Sequence, residues 1–170
     1  MAYEQHLKSA KEITARCAVI TLSDTRTIET DASGQLIQKL LRDAGHEVAD
    51  YRLIPDDAAE LGRLLLTLAA DDRVDVLLTN GGTGIASRDQ TIGVVEKMID
   101  QPLPGFGELF RMLSWQQVGA GAMLSRAIGG ITRGKPIFAM PGSSKAVELG
   151  MTQLILPQVR HILYELRKRA

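Results

Sequence analysis

The segment best suited to chemistry is a glycine-rich loop formed by Gly81, Gly82, Thr83 and Gly84. Glycine accepts positive φ angles and lets a ligand approach the main chain closely. Consecutive exposed backbone N–H groups in such a loop form a concave anion site, which commonly binds phosphate. Asn80 precedes the loop, and Arg88 and Asp89 follow it. The guanidinium offers a charge for phosphate, and the carboxylate offers a ligand for a metal ion or a hydroxyl. The segment therefore predicts a phosphate-binding site.

Polar residues also follow the other predicted strands. Ser23 and Asp24 follow the first strand, and Asp56 follows the second. The last strand is followed by a turn that opens a helix and contains Pro141, Gly142, Ser143 and Ser144. Free N–H groups and the positive end of the helix dipole make this turn a second candidate anion site. Ligands of open α/β sheets bind beyond the carboxyl ends of the strands, so we expect all of these residues at one edge.

Several of these residues also have a purely structural interpretation. Asp57 and Glu60 have the spacing of a capping box, which leaves Asp56 available for function or for turn formation. Ser23 and Asp24 are compatible with a turn that the Asp side chain stabilises.

The same alternative applies around the second carboxylate, Asp89. Ser87 and Gln90 are predicted to form a capping pair. Asp89 is then either a functional group or a first-turn carboxylate that the helix dipole favours. Ordinary turn, cap or surface-charge roles remain open for Asn80, Thr83, Arg88, Ser143 and Ser144.

The elements that must position these residues alternate between strands and helices. Apolar runs predict strands over residues 17–22, 48–54, 74–79 and 136–140. Helical spacing of apolar residues predicts helices over residues 33–44, 57–70, 90–99, 108–116 and 145–169, the last one kinked or divided at Pro157. Residues 122–131 fit a strand pair or an irregular arm. This alternation predicts one three-layer α/β domain over residues 15–170, with a mostly parallel sheet and helices on both faces.

The composition argues against several classes of protein. Lys plus Arg and Asp plus Glu are equal at 20 each, so no long-range field favours nucleic acid or an anionic membrane. No apolar run approaches the roughly 18 residues of a membrane span. Residues 1–14 are predicted to be a polar arm without a signal pattern, so we expect a cytoplasmic protein.

The patterns of cysteine, histidine and glycine residues narrow the kinds of site that the chain can contain. Cys17 is the single cysteine and lies in an apolar run, so we expect it to be buried. His46 and His161 lack the spacing of zinc ligands. The sequence contains neither the glycine-rich motif of dinucleotide-binding proteins after the first strand nor a P-loop motif.

Taken together, the motifs resemble the MoaB/Mog family of molybdenum cofactor biosynthesis proteins over residues 16–166. The matching segments are residues 21–24, 54–56, 79–84, 88–89, 104–108, 123–126 and 140–143. Several ordered motifs make a specific signal, although each one alone is weak. The short length and the run over residues 106–114 are more similar to the MoaB branch than to the Mog branch.

The resemblance implies a three-layer α/β fold that assembles as a homotrimer or a homohexamer. It also implies transfer of an adenylyl group from Mg-ATP to molybdopterin, and contacts with other enzymes of the same pathway. The family's two important carboxylates fall on Asp56 and Asp89, which would hold Mg²⁺. The serine of its Leu-Ser-Arg motif falls on Ser125, which would orient the pterin or its phosphate.

Alternative functions remain open at this point. Some MoaB proteins lack the first carboxylate and are non-catalytic, whereas this chain has both Asp56 and Asp89. A pterin-binding or scaffolding protein of the pathway is the first alternative. An unrelated nucleotide or sugar-phosphate enzyme on a similar sheet is the second, because fold does not determine function.

Overall fold

A computed structural model describes residue 10 and residues 12–168, so most of the predicted arm over residues 1–14 lies outside the described residues. The strands are β1 (Arg16–Leu22), β2 (Glu47–Ile54), β3 (Val76–Asn80), β4 (Gln101–Pro102), β5 (Ile128–Thr132) and β6 (Lys135–Met140). The α-helices are α1 (Ala32–Asp43), α2 (Ala58–Ala70), α3 (Thr91–Met98), α4 (Pro104–Val118), α5 (Ser144–Leu149) and α6 (Leu156–Arg167). A 3₁₀-helix (Gly119–Leu124) follows α4, and a π-helix (Gly150–Ile155) connects α5 to α6.

In the described part of the chain, the six strands form one sheet in the order β2-β1-β3-β6-β5-β4. The first four strands in this order are parallel to one another, and β5 and β4 run antiparallel to their neighbours. The prediction of a mostly parallel sheet is therefore confirmed. The order also brings the carboxyl ends of β1, β3 and β6 side by side, which is where ligands bind in sheets of this kind.

Both faces of the sheet are covered by apolar packing. Cys17 and Val19 of β1 point into one apolar cluster, and Ala18 and Ile20 point into the other. Helices α1, α4, α5 and α6 supply the first cluster, and α2 and α3 supply the second. Because successive side chains of a strand point to opposite faces, a strand buried on both sides is apolar throughout. The predicted three-layer arrangement is confirmed, and so is the burial of Cys17, which raises the pKa of its thiol to about 12.

One helix start follows the predicted capping, and another departs from it. Asp57 caps α2 by accepting a hydrogen bond of 2.6 Å from the backbone N–H of Glu60, as predicted. The predicted capping pair of Ser87 and Gln90 is wrong. Gln90 precedes α3 without capping it, and its side-chain amide donates to the carbonyl oxygen of Ser87. The turn is closed instead by Asp89, whose Oδ2 accepts from the N–H of Ala86 at 2.9 Å.

The second half of the chain contains the features that the pattern left open or misplaced. Helix α4 begins at Pro104, four residues before the predicted start, because proline is well accommodated in the first turn of a helix. Residues 122–131 form the end of the 3₁₀-helix, a short connection and most of β5. Pro157 lies in the first turn of α6, so it follows the π-helix without breaking an α-helix. None of the helices within the described residues combines the length and the apolar character needed to cross a membrane.

Candidate functional site

A cleft of about 270 Å³ lies at the carboxyl ends of β1 and β3. Four loops contribute to its wall, namely those after β1, β2, β3 and β6. The lining residues include Ser23, Asp24, Arg26, Asp56, Gly81, Gly82, Thr83, Gly84, Arg88, Asp89 and Gly142. Segments that are distant in the chain therefore meet in one concave site, as the positions of the strand ends predicted.

Backbone contacts fix these loops against one another. The N–H of Ser23 donates to the carbonyl oxygen of Ile54 at 3.0 Å, and the N–H of Asp56 donates to Oδ1 of Asp24 at 3.0 Å. On the other side, the N–H of Gly81 donates to the carbonyl oxygen of Met140 at 3.1 Å. The loops after β1 and β2 thus form one wall, and the loops after β3 and β6 form the other.

The first two glycines of the loop are required by space and by backbone conformation. Gly81 has a φ of 92°, and a Cβ on it would overlap the carbonyl oxygen of Leu22. Gly82 has a φ of 60°, and a Cβ on it would lie 2.7 Å from Oδ1 of Asp56. Side chains are rarely compatible with such φ angles. The main chain therefore approaches β1 and Asp56 as closely as glycine alone permits.

Three carboxylates give the cleft its electrostatic character. Burial raises the pKa of Asp56, and the nearby charges of Asp24 and Asp89 raise it further, whereas Arg88 opposes this effect. Arg88 lies 3.3 Å from Oδ2 of Asp24, in a solvent-exposed ion pair. The pKa of Asp56 is thus raised mainly by burial and secondarily by two neighbouring carboxylates, and a cation bound beside them would lower it.

The carboxylates fit a magnesium ion that a phosphate ligand helps to hold. No group of three or more Asp, Glu, His or Cys side chains within the described residues has the arrangement of a complete metal site. Mg²⁺ does not require one, because it usually binds one or two carboxylates and completes its octahedron with waters and substrate phosphates. Among the described residues, Oδ1 of Asp56 is buried without a hydrogen-bond partner. Asp56 and Asp89 line the same cleft and are the carboxylates that could hold such an ion.

A buried polar network lies beneath the glycine loop. Asp31 is fully buried and caps α1 by accepting from the N–H of Gly34 at 3.1 Å. Its carboxylate also accepts from the hydroxyl of Tyr51 at 2.6 Å and from the guanidinium of Arg26 at 3.2 Å. Ser33 links the network to the loop, because its hydroxyl donates to Oδ1 of Asn80 at 2.7 Å. The network thus connects the start of α1 with the end of β3.

Five predicted site residues do not line the cleft, namely Asn80, Ser125, Pro141, Ser143 and Ser144. Asn80 is fully buried, and its amide donates to the hydroxyl of Thr21 at 2.9 Å. Ser143 caps α5 by accepting from the N–H of Ala146 at 3.2 Å, and Ser144 is the first residue of that helix. Pro141 lies between β6 and this cap. Ligand contacts by these residues stay predictions.

Ser125 lies beyond the far side of the glycine loop, at the end of the 3₁₀-helix. The next residue, Arg126, donates to the carbonyl oxygen of Gly84 at 2.8 Å and so links this segment to the loop. Arg126 also lines a second cavity of about 270 Å³, together with Arg111 and Glu108 of α4. The role predicted for Ser125 stays a prediction, although its segment lies directly beside the cleft.

Three residues near the cleft were not identified from sequence. Arg26 is visible in sequence only as the fourth residue after β1, and Asp31 only as an acidic residue before a predicted helix. Thr91 gives no signal in sequence, because a threonine at the start of a predicted helix is unremarkable. Its hydroxyl oxygen is buried and unpartnered among the described residues, like Oδ1 of Asp56.

Comparison with known proteins identifies the family of this domain. Residues 18–161 match the family model described as "Probable molybdopterin binding domain", which defines the class of domain. A relative from Bacillus cereus, Molybdenum cofactor biosynthesis protein B, is 50% identical over 171 residues, which cover 99% of this chain and 100% of the relative. The chain belongs to the MoaB/Mog family of molybdenum cofactor biosynthesis proteins.

Solved structures of the family have the same fold. A crystal structure of a Molybdenum cofactor biosynthesis protein B has a TM-score of 0.89 at 51% identity and covers 92% of this chain and 98% of its own. The tungsten cofactor synthesizing protein MoaB from Pyrococcus furiosus has a TM-score of 0.80 at 39% identity, with coverage of 91% and 98%. Similarity therefore extends over nearly the whole described domain.

Proposed function

We propose that this protein is a molybdopterin adenylyltransferase that uses Mg-ATP and releases adenylyl-molybdopterin and pyrophosphate. The observation that supports this function most directly is the position of the Asp56 and Asp89 carboxylates in one cleft with the glycine-rich loop. An acidic cleft that also contains backbone N–H groups suits a phosphate ligand that arrives with a cation. Membership of a family of molybdenum cofactor biosynthesis proteins supports the identity of the acceptor.

The reaction would transfer an adenylyl group and needs no covalent enzyme intermediate. An oxygen of the terminal phosphate of molybdopterin attacks the α-phosphorus of ATP and forms a new P–O bond. The bond from the α-phosphorus to the bridging oxygen breaks, and the electron pair leaves with pyrophosphate. Two anions must approach each other, so catalysis consists mainly of positioning and of neutralising charge.

The residues of the cleft have separate tasks in this proposal. The backbone N–H groups of Gly82, Thr83 and Gly84 bind phosphate oxygens, and Arg88 adds a positive charge at the rim. Asp56 and Asp89 hold Mg²⁺, which supplies neutralisation of phosphate charge when it is bound. Ser125 and the turn from Pro141 to Ser144 orient the pterin end or its phosphate. ATP binds at one of the two anion sites and molybdopterin binds at the other. Either assignment is compatible with the reaction.

The test compares carboxylate variants in one assay of pyrophosphate release and one of molybdopterin binding. We expect Asp89→Asn and Asp56→Asn to lower ATP-dependent pyrophosphate release by at least about 100-fold, because charge neutralisation in the transition state is lost. Molybdopterin binding without ATP should change little. Asp72→Asn is the matched control, since Asp72 is exposed and lies outside the cleft.

Two results would contradict the proposal in different ways. A wild-type rate for Asp89→Asn would show that the metal role of Asp89 is wrong. Tight molybdopterin binding by the wild-type protein without any ATP-dependent product would instead establish a non-catalytic pterin-binding or scaffolding role. Mass analysis of one incubation with both ligands distinguishes an adenylylated product from bound molybdopterin.

A further inference from the structure

Two side-chain oxygen atoms next to the glycine loop are buried without a hydrogen-bond partner among the described residues. They are Oδ1 of Asp56 and Oγ1 of Thr91. Thr91 is the first residue of α3, and only 1% of its surface is exposed. Buried polar groups in folded proteins are nearly always paired, so an unpaired one needs a physical explanation. Two such atoms at one place suggest that a single physical cause explains both.

Gly82 lies between the two oxygens. A Cβ on Gly82 would overlap Oγ1 of Thr91 and would lie 2.7 Å from Oδ1 of Asp56, so both oxygens border the same point in space. The N–H of Thr91 also donates to the carbonyl oxygen of Gly82 at 3.1 Å. The start of α3 is therefore attached directly to the glycine loop.

Water does not provide the missing partner from the interior side. The small void beside both residues is bordered by Leu22, Ala58 and Leu61 and leaves no room for a water molecule. A buried water needs both that room and two or more polar partners. A carboxylate accepts hydrogen bonds and a threonine hydroxyl donates one, so each atom is the chemically matched partner of the other.

We infer that Thr91 is the positioning residue of Asp56. When the glycine loop closes on a phosphate, the hydroxyl of Thr91 donates to Oδ1 of Asp56, and this bond directs the other carboxylate oxygen into the cleft. Hydrogen bonds of this kind fix the orientation of carboxylates that hold metal ions and affect metal affinity strongly. The inference rests on the proposed function in assigning Asp56 to the magnesium ion.

The test uses two substitutions at Thr91 and a matched threonine elsewhere. Thr91→Val removes the hydroxyl and keeps the shape, and Thr91→Ser keeps the hydroxyl. Thr67→Val is the control, because Thr67 lies on α2 and its hydroxyl donates to the carbonyl oxygen of Arg63 in its own helix. Binding of Mn²⁺ in the presence of a non-hydrolysable ATP analogue is measured by electron paramagnetic resonance, alongside urea unfolding and pyrophosphate release.

We expect Thr91→Val to weaken Mn²⁺ binding by about 10- to 100-fold. Thr91→Ser should restore binding, Thr67→Val should leave it unchanged, and molybdopterin affinity should be the same in all variants. Wild-type Mn²⁺ affinity in Thr91→Val would overturn the inference. Equal losses in Thr91→Val and Thr91→Ser, with lowered unfolding midpoints in both, would also overturn it and indicate a structural role.

The metal readout separates this inference from the proposed function. If the wild-type protein binds Mn²⁺ with nucleotide but releases no pyrophosphate, the proposed reaction fails while the effect of Thr91 on metal binding is still measured. If the wild-type protein binds no Mn²⁺ with the nucleotide analogue, the positioning role of Thr91 is wrong.

Discussion

The guanidinium of Arg26 donates a hydrogen bond of 2.9 Å to the carbonyl oxygen of Gly142, which lies 116 positions later in the chain. The same guanidinium contacts Asp31 and Ser33 at the start of α1. A Cβ on Gly142 would lie 3.0 Å from the Cα of Gly81, so the turn after β6 packs directly against the glycine loop. One side chain therefore joins the loop after β1 to the opposite wall of the cleft.

Replacing Arg26 by methionine should destabilise the fold by about 2–3 kcal/mol, because the fully buried Asp31 loses its charged partner. This value is below that of a fully buried pair, since the Arg26 side chain is 32% exposed. Arg52→Met, which breaks an ion pair with Asp50 at the surface, should cost less than about 1 kcal/mol. Urea unfolding of both variants provides the measurement, and equal losses would contradict the role given to Arg26.

Asp31 should also contribute to acid sensitivity. Burial alone would raise the pKa of Asp31, but hydrogen bonds from Thr21, Tyr51, Ser33 and the N–H of Gly34 hold it below its ordinary value. A carboxyl whose pKa is lower in the folded state stabilises that state above its unfolded pKa of about 3.9. This contribution is lost as the pH falls from about 4 through the folded pKa.

Asp31→Asn should therefore be less stable than the wild type at pH 7, and its stability should depend less steeply on pH below about 4. Urea midpoints measured from pH 3 to pH 7 test both parts. Parallel pH curves for the two proteins would exclude Asp31 as a source of the acid response.

Two glycine substitutions should affect different properties, since Gly84→Ala should lower activity and Gly93→Ala should raise stability. A Cβ on Gly84 would lie 2.5 Å from Oδ2 of Asp89, so Gly84→Ala should displace that carboxylate and break its bond to the N–H of Ala86. We expect at least a roughly 10-fold loss of pyrophosphate release, since small displacements of catalytic groups are costly. Gly93→Ala meets no atom within 4 Å and lies in α3, so it should increase stability by about 0.5–1 kcal/mol.

Activity and urea unfolding of both glycine variants are measured together. Full activity in Gly84→Ala would show that the position of Asp89 does not limit the reaction. A loss of activity in Gly93→Ala would show that the comparison does not isolate the effect at Asp89.

We propose that α4 and the following 3₁₀-helix form contacts between copies of the chain in a trimer or hexamer. Large apolar side chains are exposed along this segment, namely Leu109, Met112, Trp115, Val118, Met123 and Leu124. Such a patch is typical of a protein interface. Trp115→Lys should shift the protein toward the monomer in sedimentation velocity, because Trp115 is 61% exposed in the single chain and is available to a second copy.

Leu66→Lys provides the control for this assembly, since Leu66 is an exposed apolar residue on α2, away from the proposed contact. It should sediment as the wild type does. A wild-type protein that sediments as a monomer at micromolar concentration would contradict the proposed interface.

The sequence predicted the elements whose signal is local. β1 and β3 are mainly apolar because both of their faces are buried, and the cap at Asp57 needs only the residues of one helical turn. β5 was left open because it begins Ile128-Gly129-Gly130, and glycine is unfavourable in strands. The structure requires glycine there, since a Cβ on Gly130 would lie 2.5 Å from a side-chain atom of Ile99.

The convergence of loops at the cleft was predictable from strand order, whereas the contacts inside it were not. Parallel strands leave their carboxyl ends at one edge, so the placement of Asp24, Asp56 and Asp89 follows from topology. The bond from Arg26 to Gly142 and the proximity of Thr91 to Asp56 depend on side-chain packing between distant segments. No spacing pattern in one sequence specifies such contacts.

The short strand β4 limits how the sheet can grow. It contains two residues at the edge of the sheet, and one of them, Pro102, has no N–H to offer an additional strand. The strand at the opposite edge, β2, has exposed charged residues, which include Glu47 and Arg52. Both edges therefore carry features that disfavour pairing with a strand of another molecule, so growth of the sheet into fibres is not expected.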